Sequence, residues 1–312
     1  MASVNIVLGN HITNIGNAFL DIGSQASIKA ASPGAHIFQT SSFPRWYEHT
    51  QAQNRGMFRR SEPEFYSLVS RAPADFAVFS GMIITEGFID RYGPSIRRMR
   101  DKGVRIILNG AGPVRYNEKE TQVCRDFWSE VGLFALVSRD TYSYEAFGDL
   151  AENPFDGIDC GFFLSNGFTP ENLDSEEYDA LAFDSIGEPD GLDDGSRMVV
   201  RPHHKMYPTV VAKDSDALGK PNAFISELAT DYLNIYGNAR QVHTDRVHAC
   251  VASVSYDIPC RLYSDSKRGF LFEKLGVSLD EMQAGLITID RDLLDNAKKV
   301  QIEFLRGLIE SV

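Results

Sequence analysis

Positive charge is in short supply. The 312 residues hold 31 Lys and Arg against 43 Asp and Glu, a formal net charge of −12. That balance argues against a nucleic-acid partner and against broad binding to an anionic membrane. Cysteine is scarce too. Cys124, Cys160, Cys250 and Cys260 are scattered with no CxxC or other ligand spacing, so they are read as reduced core or near-core residues of a cytoplasmic protein. No apolar run approaches the roughly 20 residues that span a bilayer, and residues 1–30 lack the basic-then-apolar order of a secretory signal. No internal repeat or low-complexity tract is visible. Peripheral association with a membrane and homo-oligomerisation are left open.

What is present is ordinary globular material, 43% hydrophobic and 24% charged. The length exceeds a usual single α/β core and predicts two domains. Strand and helix patterns alternate through 4–8 and 16–31, 75–79 and 88–102, 104–108 and 118–131, and 133–137 and 141–147. Residues 39–60, rich in aromatics, Arg and Ser without a period, suit a long loop over an active site or a plain irregular connection. Residues 166–196 are acidic and rich in Gly and Pro and read as a solvated connection. A second series runs through 198–200, a helix over 221–235, a β-run at 241–243, a helix over 245–256, a strand at 260–263 and a helix over 270–275. A final amphipathic helix over 290–309 is expected to pack back on the junction. The expected fold is α/β with two Rossmann-like domains facing a cleft, residues 1–165 and 197–312, joined by 166–196.

Ligands of such folds sit at the carboxyl ends of the strands, and the candidates are drawn from there. Thr244 is a good helix N-cap. Arg246 and His248 follow it in a first turn whose N–H groups and dipole favour an anion; the guanidinium would hold a carboxylate or phosphate and the imidazole would move protons. A surface pair or a cap is the plainer alternative. Arg139 stands after a strand and points into the cleft or pairs with Asp140. Arg201 adds a cation or makes a solvated basic turn. The loop from Gly9 to Asn17 has neither GxGxxG nor GK[ST], yet His11, Asn14 and Asn17 suit a hydroxyl-rich ligand. Gly81 ends another strand, and Ser266 and Lys267 lie in a polar, basic loop. His203 and His204 alternate on an extended backbone, so they do not easily chelate one metal. No metal site and no cofactor are expected.

Several of these stretches resemble the polysaccharide pyruvyl transferases. Thr244-Asp245-Arg246-Val247-His248-Ala249 is similar to that family's Arg-Leu-His helix start, with Val247 for Leu, and Ile258-Pro259, Tyr263, Lys267 and Leu275-Gly276 to the strand and loop that follow. Asn14-Ile15-Gly16-Asn17 resembles its opening segment, with Asn17 where Asp is common. Asn109-Gly110-Ala111-Gly112-Pro113 resembles its Gly-rich turn, and Arg139-Asp140 with Ser143 its Arg-Asp-x-x-Ser. The resemblance implies a glycosyltransferase-B-like architecture and an anion-binding Arg139. It also implies transfer of pyruvate from phosphoenolpyruvate to a sugar, oligosaccharide or lipid-linked glycan acceptor, with Arg139, Arg201 and Arg246 on the donor and His248 moving a proton. A nucleotide-sugar-dependent glycosyltransferase and a non-catalytic glycan binder remain alternatives.

Overall fold

A computed structural model describes residues 1–9, 14–41, 67–205 and 219–311. Within them are two parallel sheets. The first contains β1 (Ser3–Val7), β2 (His36–Thr40), β3 (Phe76–Ser80), β4 (Arg105–Ala111), β5 (Leu133–Ser138) and β6 (Ala151–Phe155), in the order β2-β1-β3-β4-β5-β6. The second contains β7 (Tyr178–Ala182), β8 (Met198–Pro202), β9 (Ala223–Phe224), β10 (Gln241–Thr244) and β11 (Cys260–Leu262), in the order β11-β10-β7-β8-β9. Strand order reverses between β1 and β3 in one sheet and between β7 and β10 in the other. A crevice at the carboxyl ends follows from each reversal, because the connections leave toward opposite sides there.

Helices cover both faces. They are α1 (Gly16–Ala31), α2 (Glu86–Asp101), α3 (Glu118–Val131), α4 (Thr141–Phe147), the short α5 (Leu164–Gly167), α6 (Ala229–Asn238), α7 (Val247–Ser255), α8 (Leu279–Ala284) and α9 (Arg291–Glu310). Three starts follow from side-chain caps: Thr85, Asn117 and Asp140 each accept the backbone N–H three residues on. Because helices bury both faces, β3 and β7 are buried at all five positions; β3 reads as an apolar run, while β7 carries Asp179 within it.

Two helices join the halves. Twelve of the sixteen residues of α1 are buried, with Phe19 and Ala26 in the second sheet's core and Ile28 and Ala31 in the first's. The last helix, α9, begins with Leu294 in the second core and ends with Leu305, Leu308 and Ile309 in the first. Midway, Gln301 accepts the Ile158 N–H at 2.8 Å and donates to Asn109 at 3.4 Å.

The structure corrects three local expectations. The acidic stretch 166–196 contains β7, the central strand of the second sheet; surrounding carboxylates dilute the apolar signal of Tyr178–Ala182. The helix expected over 221–235 starts at Ala229, since Ala223–Phe224 is used as an edge strand beside Arg201–Pro202. Of the loop expected over 39–60, Gln39 and Thr40 close the edge strand β2, and residues 42–66 lie outside the described residues.

Candidate functional site

The two carboxyl edges meet. The Ile15 N–H, just before α1, donates to the His204 carbonyl after β8 at 3.1 Å. Arg268, beyond β11, reaches Met82 beyond β3, with its Nη1 3.5 Å from the sulfur. Phe270 packs edge-on against Tyr116, with ring centroids 5.9 Å apart.

On the first sheet, Arg139 follows β5 and its side chain is fully buried. Its Nη2 donates to the Pro113 carbonyl at 2.5 Å and to the Tyr116 hydroxyl at 2.9 Å, and that hydroxyl donates to Asp140 at 2.7 Å. Asp140 also caps α4 through Ser143. Gly112 makes room for this guanidinium: a Cβ there would lie 2.4 Å from Arg139 Nε. Burial opposes the charge of Arg139, but Tyr116, Asp140 and Asp159 together hold its pKa above the usual value. Nε, 3.4 Å from Asp140, and Nη1 make no hydrogen bond. The geometry is that of the structural alternative, a buried guanidinium set against Asp140 and Tyr116.

On the second sheet, charged groups gather at the β7/β10 crevice. Asp184 follows β7, accepts the His204 N–H at 3.0 Å, lies 3.2 Å from His203 Nδ1 and 3.6 Å from Arg246 Nε. Burial would raise its pKa, but His203 and the nearby positive charges hold it below the usual carboxylate range. Asp245 accepts the backbone N–H groups of Asp184, Ser185 and Ile186, so an internal carboxylate fills this concavity and fixes the loop. Ser185 in turn touches Arg246 and Lys205.

Between these clusters lies Arg268. Its Nε is held by Ser266 Oγ at 3.0 Å, and among the described residues no carboxylate pairs with it. Burial lowers its pKa, and the charges of Arg246 and Arg139 push the same way. A cation that two other cations and burial disfavour is poised to gain an anion.

His248 faces another gap. Its Nε2 stands 3.8 Å from Asp159 Oδ2, and neither atom has a hydrogen-bond partner. Asp159 is fully buried, held through Oδ1 by the Gly161 N–H. The neighbouring His204 is wedged among Phe19, Tyr232 and Tyr236, and burial pushes its pKa down to about 3.

Arg139, Arg246 and His248 thus fall in one neighbourhood, whose common members are Arg268 and Asp159. Other candidates do not join it. Arg201 is tied to Glu188, Asp193 and the Pro221 carbonyl; those carboxylates lie in the acidic stretch and answer its charge completely. Thr244 is the last residue of β10 and not the cap: Arg246 holds that position, and the Thr244 hydroxyl donates to the Ala182 carbonyl and accepts the Arg246 N–H, both at 2.8 Å. Lys267 is exposed, while Ser266 acts on Arg268. Gly81 is a turn residue at φ +80°, where a Cβ would lie 2.4 Å from Leu20. Asn14 shapes the start of α1 by accepting the Gly16 N–H at 3.2 Å, and Asn17 is buried one turn on. His11 lies outside the described residues.

A cavity of about 290 Å³ opens at the β1/β3 crevice and reaches Arg268. Among the described residues no group of three His, Cys, Asp or Glu could hold a metal ion, and no helix is long and apolar enough to cross a membrane.

No family model matches the chain, and no curated protein does. Solved structures do. The UDP-GlcNAc 2-epimerase of Neisseria meningitidis bound to UDP-GlcNAc has a TM-score of 0.57 at 11% identity, covering 97% of this chain and 99% of that one. The S. aureus MnaA-UDP co-structure gives 0.56 at 14% identity, covering 99% and 91%. The Methanocaldococcus jannaschii UDP-GlcNAc 2-epimerase in complex with UDP-GlcNAc and UDP gives 0.54 at 10% identity, covering 99% of each. This likeness shows the fold, a two-domain glycosyltransferase-B-like architecture. It also overturns the resemblance to pyruvyl transferases. Those motifs are short strand-end and helix-start segments, a kind that recurs wherever this architecture holds an anion, whereas the match to the epimerases runs the length of the chain. Phosphoenolpyruvate as donor and a glycan as acceptor fall with it, and the glycosyltransferase alternative is no better supported.

Proposed function

We propose that the chain is an enzyme acting on a nucleoside-diphosphate sugar, with UDP as the nucleotide. The observation that carries this reading is Arg268, a part-buried cation without a carboxylate, set between Arg246 and Arg139 where the two sheets face each other. A diphosphate supplies the missing negative charge, and guanidinium groups suit its oxygens in paired hydrogen bonds. The fold is shared with enzymes whose solved complexes hold UDP or UDP-GlcNAc. His248 and Asp159 supply the chemistry: a proton taken from or returned to the sugar by an imidazole whose Nε2 faces a buried carboxylate at 3.8 Å. Rearrangement at a ring carbon needs such a proton to leave and come back.

The test has two parts. Calorimetric titration with UDP gives saturable binding that Arg268→Ala weakens by roughly 10- to 100-fold, the range expected for a lost charge-assisted contact. Incubating UDP-GlcNAc in D2O and following the ring protons by NMR shows enzyme-dependent exchange, abolished in His248→Gln while UDP affinity is kept. Absence of UDP binding at about millimolar ligand would sink the reading.

A further inference from the structure

Away from the facing strand ends, a groove of about 560 Å³ runs along α9. Its lining carries Lys298, Lys299 and Arg306 against Asp295 and Glu303, with Asn166 contributed by α5. None of these residues belongs to the site described above. The cations outnumber the carboxylates by one, and the surplus falls on Lys298. Lys299 and Arg306 are exposed, and Arg306 is also held by the Ala31 carbonyl at 3.3 Å. Lys298 is 5% exposed.

The Lys298 ammonium donates to the Ser165 hydroxyl at 3.1 Å. Asp295 stands 4.0 Å away, but it is 62% exposed and its charge is screened by water. Nearby, Arg291 and Asp257 are paired with each other. A buried ammonium with one neutral acceptor and no close counter-charge gives up its proton readily. Burial lowers its pKa to about 8, with the Arg291 charge pushing the same way and Asp295 and Asp257 opposing. An appreciable share of the side chain is therefore free amine near neutral pH, and a free amine is a nucleophile.

We propose that Lys298 is an acyl-acceptor site, taking an acyl group from an acyl phosphate that enters this groove. The Nζ lone pair attacks the carbonyl carbon and forms the C–N bond; the bond from that carbon to the phosphate oxygen breaks, its electron pair leaves with phosphate, and the nitrogen loses a proton to water. The product is a neutral amide. It removes the buried charge and leaves Lys299 and Arg306 to balance Asp295 and Glu303, and its N–H still has the Ser165 oxygen to donate to. Lys298 lies one turn before Gln301, whose side chain ties Ile158 to Asn109, so the acyl group is carried by a helix that joins the two halves.

The probe is acetyl phosphate, applied to the full chain across a range from about pH 6 to about pH 10, with each lysine followed by peptide mass spectrometry. Near neutral pH, Lys298 is acetylated roughly tenfold faster than the exposed Lys119 and Lys299: its free-amine fraction is on the order of a hundredfold that of an ordinary lysine, offset in part by its weaker basicity. Its rate levels off above about pH 8, whereas that of an ordinary lysine climbs to about pH 10. Asn166→Trp puts a large ring into the groove from an exposed position. It slows Lys298 several-fold and leaves the other lysines and the unfolding temperature unchanged. Acetylation of Lys298 no faster than that of Lys119, a rate still climbing at about pH 10, or full speed in Asn166→Trp overturns the proposal. UDP affinity enters none of these outcomes.

Discussion

Arg201 and Arg268 sit in comparable places, one at the end of β8 and one in the loop after β11, and their surroundings differ in one respect. Arg201 has Glu188 at 2.8 Å and Asp193 at 2.6 Å, both within hydrogen-bond reach. Arg268 has a serine oxygen and a methionine sulfur. The carboxylates raise the pKa of Arg201, while burial and two neighbouring arginines lower that of Arg268. Position at a strand end therefore says where a ligand could be. Whether the chain has already neutralised the charge says whether the residue is waiting for one.

Replacing each arginine separately breaks or sharpens this contrast, and gives the largest effects. Arg201→Ala leaves Glu188 and Asp193 without their shared partner and costs roughly 2–4 kcal/mol; this is the low side of a broken buried pair, since Asp193 is 35% exposed and Lys220 remains on Glu188. Thermal unfolding shows the drop as several degrees, with UDP affinity unchanged. Arg268→Ala does the reverse, losing UDP affinity with an unfolding temperature equal to or above that of the parent. If both variants behave alike, counter-charge is not what separates a site residue from a structural one here.

That contrast also marks how much was legible in the sequence. The bounds of α3 and α4 follow from period and capping signals that are local, and those of α1, which has no side-chain N-cap, follow from the strand-loop-helix pattern alone. Arg139, Arg246 and His248 stand out because strand-end and helix-start positions are local too. Arg268 was hidden: the basic loop 264–268 was visible, but only the fold brings Arg246 and Arg139 beside it. Asp184 and the strand before it were masked by the acidic residues around them, since Glu176, Glu177 and Asp184 flank the Tyr-Asp-Ala-Leu-Ala run. The loss of Arg201 as a candidate has the same cause. Its partners come from that acidic stretch, and pairing across a loop leaves no periodic trace.

An intermediate effect comes from Asp21, a charge on the first sheet's side that also lacks a cationic partner. One oxygen accepts the Gly9 N–H at 2.8 Å, and the other is buried without a partner. Burial raises its pKa from 3.8 to about 7. Between those values the folded chain keeps a proton that the unfolded chain has released, so this group's contribution to stability falls as pH rises from about 4 to about 7. Asp21→Asn retains an acceptor for Gly9 and removes the ionisation. Its unfolding temperature should match that of the parent near pH 4 and exceed it at pH 8. The gain is of order 1–3 kcal/mol, below the limit of about 4 kcal/mol that a three-unit shift allows. A parallel pH profile for the two proteins would show that Asp21 is stabilised by something other than its proton.

The smallest effects belong to the loop that carries Arg268. Ser266 begins the 3-10 turn at Lys267–Leu275 and its oxygen lies 3.0 Å from Arg268 Nε, so Ser266→Ala frees the guanidinium without removing it. The expected loss is a few-fold in UDP affinity, about 1 kcal/mol for one hydrogen bond, and Ser266→Thr recovers it. Lys267 is exposed next door, and Lys267→Ala should change stability by less than about 0.5 kcal/mol, with an equally small change in affinity once salt is high enough to screen it. The pair separates two accounts of the loop. If Lys267→Ala weakens UDP more than Ser266→Ala does, the loop acts through its total positive charge; if the order is as expected, it acts by holding one guanidinium in place.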